Sequence, residues 1–62
     1  MAYTLIWYGR QGIVEQIPFD AEKAARAQAL ATFPIRKEVD GIVAVEVRND
    51  DGTVVFSLAG GH

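Results

Sequence analysis

Two glycine-bounded hairpin signals stand on either side of one alanine-rich segment, and this order constrains the fold of the 62-residue chain more than anything else in it. Tyr3-Thr4-Leu5-Ile6-Trp7-Tyr8 is dense in β-forming side chains and stops at Gly9-Arg10-Gln11-Gly12, two glycines around two polar residues. Ile13 to Ile17 reads as the return strand. Pro18, which cannot donate to a ladder, is its predicted end. In the second half Ile42 to Arg48 alternates as a strand, with Val43, Val45 and Val47 on one face and Ile42, Ala44, Glu46 and Arg48 on the other. Asn49-Asp50-Asp51-Gly52 is a turn, and Thr53 to Leu58 returns with Val54, Phe56 and Leu58 on one face.

Between the hairpins, Ala21 to Thr32 holds six alanines and a leucine without an internal Gly or Pro, a strong helix composition. Asp20 is the predicted N-cap, with Phe19 before it packing on Ala24. Glu22 and Arg26 stand four apart and mark the solvated side, while Ala24, Ala27, Leu30 and Ala31 are expected to face the sheet. Pro34 disfavours helical geometry at Phe33, so the helix is predicted to stop there and Ile35 to Gly41 to be a connector. The expected fold is α+β, in ββαββ order: a four-stranded, mainly antiparallel sheet with one helix packed on one face. Residues 1–59 form the single domain and 60–62 a flexible tail.

A helix covers one side of a sheet only, so the other side should be polar. Here it is not. If Tyr3, Leu5 and Trp7 point to the helix, then Thr4, Ile6 and Tyr8 point away, and the reverse assignment exposes Leu5 and Trp7; Ile42, Ala44 and Val55 likewise lie opposite the valine face of the second hairpin. Contiguous apolar area of this kind marks an interface. Domains this short bury a small share of their surface and commonly rely on a disulfide, a metal or a partner chain. The chain has no Cys, and its one His is the last residue, His62, so disulfides are impossible and no metal or other cofactor is expected. A second copy or another protein partner is the support that remains.

The net charge of −2, with Arg10, Lys23, Arg26, Arg36, Lys37 and Arg48 scattered, argues against general affinity for nucleic acid or anionic lipid. A narrower reading keeps Trp7 and Tyr8 beside Arg10 as a stacking surface for single-stranded bases. No window has the length of a membrane span and no signal peptide is read, so the expected location is cytoplasmic. Arg36 and Lys37 complement the negative end of the helix. Asn49 to Gly52 is too short to supply the spaced oxygens of a calcium loop. Ser57 is the only serine and His62 lies on the tail, so no nucleophile–base pair is predicted and the chain is not expected to be an enzyme. Glu15 and Glu46 remain as two strand carboxylates able to face each other across the sheet, though solvated charges on strands discourage aggregation and need no catalytic role.

The aromatic strand Tyr3–Tyr8, the run Ala24-Ala25-Arg26-Ala27-Gln28-Ala29-Leu30 and the hairpin Val45-Glu46-Val47-Arg48-Asn49-Asp50-Asp51-Gly52 together resemble a family of short bacterial proteins of unknown function. The resemblance spans most of the chain and implies no activity. The functional expectation is therefore a small non-enzymatic interaction module that homodimerises through an apolar sheet face or edge. A regulatory subunit docking on a larger protein is the alternative, with single-stranded nucleic-acid binding through Trp7, Tyr8 and Arg10 after it.

Overall fold

The computed structural model describes residues 2–59, and the ββαββ order is there in full. Strand β1 covers Tyr3–Gly9, β2 Gly12–Phe19, helix α1 Glu22–Val39, β3 Ala44–Arg48 and β4 Val54–Ala59. All pairings are antiparallel, and the order across the sheet is β2-β1-β3-β4. The aromatic first strand thus lies inside the sheet, where its β-forming side chains are flanked on both sides. The helix packs on β3, β1 and β2. Its Arg26 guanidinium reaches out over the Phe56 ring of β4, 5.1 Å from the centroid.

The core lies between helix and sheet. Leu5, Trp7, Val45 and Val47 rise from the strands to meet Ala25 and Ala29, with Ile42 closing one end. Alanines at the contact let the helix lie close, so the large side chains all come from the sheet. Ile17, Phe19, Phe33, Phe56 and Leu58 pack around this centre. Burying a side chain of the size of Leu or Val contributes about 1.5–3 kcal/mol.

Four local expectations are corrected. Pro34 does not end the helix, which runs on to Val39. Beyond Pro34, which cannot donate its helix hydrogen bond, the last turn is anchored by Arg36, held by two carboxylates and lying on Trp7. The chain leaves the helix through Gly41 at φ 69, a conformation open to glycine, with the Ile42 N–H directed at the Arg36 carbonyl at 3.4 Å. Asp20 is not the cap: the helix starts from Ala21 without a side-chain hydrogen bond, and Glu22 supplies the acid of the first turn. The buried helix stripe is Ala25 and Ala29 rather than Ala24, Ala27, Leu30 and Ala31, a rotation of one position that leaves Leu30 54% exposed. Pro18, finally, lies within β2, paired with Thr4, which an edge strand tolerates.

A bulge opposite Trp7 and Tyr8 inserts Val14 into β2. Gly9 faces it closely: a Cβ there would stand 2.9 Å from Val14 Cγ2. Asn49 builds the second turn, its Oδ1 accepting from the N–H groups of Asp51 (2.9 Å) and Thr53 (3.0 Å), while Gly52 takes φ 84. This is the hairpin expected of Asn49 to Gly52.

Candidate interaction surfaces

Alternation along the strands divides the candidate residues between two faces. Tyr3, Leu5 and Trp7 face the helix, so Thr4, Ile6 and Tyr8 stand on the helix-free face with Ala44, Glu46 and Arg48, their directly paired neighbours on β3. That face is less apolar than the sequence suggested. Ile6 is 7% exposed, lying between Gln16 on β2 and Glu46 on β3. Beside it Glu46 Oε2 accepts from the Tyr8 hydroxyl at 2.5 Å and from Arg48 Nε at 2.6 Å. This network caps the middle of the sheet with polar groups, and such charge-assisted bonds are the stronger kind.

The hydrogen bond to Glu46 pushes the Tyr8 phenol above its usual 10.0; burial and the negative charge of the carboxylate add to it, against the opposing effect of Arg48. The neutral phenol is thus favoured in the folded chain. Its stabilising contribution is complete below pH 10, the unfolded value, and is lost as pH rises through the higher folded value. Tyr8→Phe should accordingly flatten the alkaline fall of the urea midpoint. An unchanged slope above pH 10 would show that the phenol does not contribute to it.

Two of the six residues expected on the helix-free face behave differently. Ile42 precedes β3 and turns into the core, where it is 2% exposed. Val55 is half-buried beside the bulge opposite Val47 and Arg48 and packs against the core.

The proposed stacking surface is not assembled. Trp7 is 1% exposed beneath the helix, Tyr8 lies on the opposite face, and Arg10 is in the β1–β2 turn. The Trp7 ring is already covered by Arg36, whose guanidinium carbon is 4.8 Å from the centroid. Arg36 also donates to Glu15 at 2.7 Å and to Asp40 at 2.9 Å. These hydrogen bonds, to Asp40 first and then Glu15, raise its already high pKa further. Glu15 is thereby fixed on the helix face and Glu46 on the other, so the two carboxylates do not face each other. Among the described residues no group of three or more His, Cys, Asp or Glu side chains is placed to hold a metal. No described helix is long and apolar enough to cross a membrane.

The exposed apolar side chains gather elsewhere. Ile13, Val14 and Val43 line an open groove of about 1010 Å³ between the β1–β2 turn and the end of the helix, with Arg10, Lys37 and Asp40 among its polar walls. Ile35 and Val39, four apart on the last turns of the helix, are 63% and 76% exposed. Sequence reasoning missed this pair because Pro34 placed both in a connector; the i, i+4 spacing was the available signal. Among the described residues, Leu30 and Val54 are the other exposed large apolar ones, on the helix and at the start of β4.

No family model matches the chain. Neither the curated proteins nor the solved structures contain a match.

Proposed function

We propose that the chain is a small non-enzymatic interaction module that homodimerises through its sheet. One observation carries this reading: β4 is an edge strand, Val-Val-Phe-Ser-Leu-Ala, with neither a charge nor a proline to discourage pairing. An edge strand presents a row of unpaired N–H and C=O groups, and monomeric proteins usually blunt such edges. The other edge, β2, is blunted by Pro18 and Glu15, while a bulge interrupts each of the two edge strands. Light scattering across a concentration series should give twice the 6.8 kDa chain mass, falling toward it on dilution. A strict monomer at all concentrations would reject the dimer.

The groove beside Ile13, Val14 and Val43 favours a second reading, docking on a larger protein. Under it, Ile13→Lys abolishes co-purification with that partner and leaves the mass in light scattering unchanged. Retained co-purification would place the docking surface away from the groove. Stacking on bases is not retained, since Trp7 is inside the core.

A further inference from the structure

Resting on the dimer reading, we infer a specific partner surface and register: β4 pairs antiparallel with β4 of a second copy across a two-fold axis at Ser57, giving one continuous eight-stranded sheet. The second copy is favoured over a foreign strand because this edge complements itself. An uncharged strand meeting its own copy brings no like charges together, and antiparallel pairing makes every contact occur twice.

The faces restrict the register. Directly opposed residues of two antiparallel strands lie on the same face, so Phe56, on the helix face opposite Val47, must meet Phe56 or Leu58 of its copy. Pairing on β3 is regular from Phe56 to Ala59 and is interrupted by the bulge between Arg48 and Val47, at Val54 and Val55. Centring on Ser57 uses the regular stretch, sets each Phe56 against the Leu58 of the other copy, and brings the two small Ser57 side chains together on the helix-free face. Centring on Phe56 instead draws the irregular Val54 into the ladder and sets two large rings against each other.

The helix leaves room for this. Its main packing is on β3, β1 and β2; toward β4 it extends Arg26 over Phe56, and that charge is balanced by Glu22 at 3.6 Å. Phe56 and Leu58, half-buried on the helix face of β4, are the apolar side chains that this pairing would cover.

The test uses the chain's lack of cysteine, which makes every introduced thiol unique. Ser57→Cys exchanges one atom at an exposed site and should form a disulfide-linked dimer under mild oxidation at micromolar concentration. Gln16→Cys on β2 should form no disulfide-linked dimer under the same conditions. Ser57→Lys places two ammonium groups at the axis and should shift light scattering to the monomer mass, with unchanged far-ultraviolet circular dichroism. A wild-type dimer that Ser57→Lys leaves intact, or that Gln16→Cys traps instead, overturns the β4 register while preserving the dimer reading. A wild-type monomer overturns both.

Discussion

Replacing Trp7 with alanine should leave the chain largely unfolded at 25 °C. The side chain is the largest in the core, is 1% exposed, and joins β1 to the last turn of the helix through the Arg36 stack. Truncating a buried Trp costs about 3–5 kcal/mol. Whole domains are stable by about 5–15 kcal/mol, and one of this size belongs at or below the lower end. Far-ultraviolet circular dichroism should show the helix and strand signals largely lost, and urea titration should show no cooperative transition. A variant that kept a sharp transition near the wild-type midpoint would mean that the sheet and helix cohere without this contact.

Ile42→Ala should have the next largest effect and separates two placements of one residue. In a strand beginning at Ile42, this side chain belongs on the helix-free face, where truncation would change stability little. In the structure β3 begins at Ala44, the Val43 N–H is tied to the Tyr8 carbonyl at 2.9 Å, and Ile42 is turned inward. Truncation there removes buried volume and should lower stability by about 2–5 kcal/mol. Val43→Ala, at the exposed neighbour, should fall within about 0.5 kcal/mol of wild type. Urea midpoints of the two variants decide the matter: equal midpoints would return Ile42 to the surface.

These two residues also show how far the chain could be read without coordinates. Alternation in β1, the alanine density of α1 and the glycine-bearing turns are local signals, and each led to the element observed. Helix phase was harder to read. With alanines at 24, 25, 27, 29 and 31, more than one stripe is apolar, and composition does not favour Ala25 and Ala29 over their neighbours. Pro34 misled for a related reason: its local penalty is real, but Phe33 and Arg36 beyond and beside it are anchored by residues distant in sequence. The helix-free face was misjudged because apolar side chains were counted while the polar groups beside them were not. Glu46 and Arg48 lay in view, yet their closure over Tyr8 depends on the β1–β3 register, which separates Tyr8 and Glu46 by 38 positions.

The Arg36–Trp7 stack has one more consequence. Trp7 is the only tryptophan in the chain, so a single indole gives all of its tryptophan emission, and it reports from the point where the end of the helix rests on β1. Water reaching that ring should shift its emission to the red. Opening of the last helical turn past Pro34 uncovers the indole while the strands stay paired, whereas global unfolding uncovers it as they separate. Emission that moves before the circular dichroism on mild heating would mean that the helix terminus detaches first; coincident curves would mean that it melts with the rest. The chain thus carries its own optical gauge of how firmly its helix is seated.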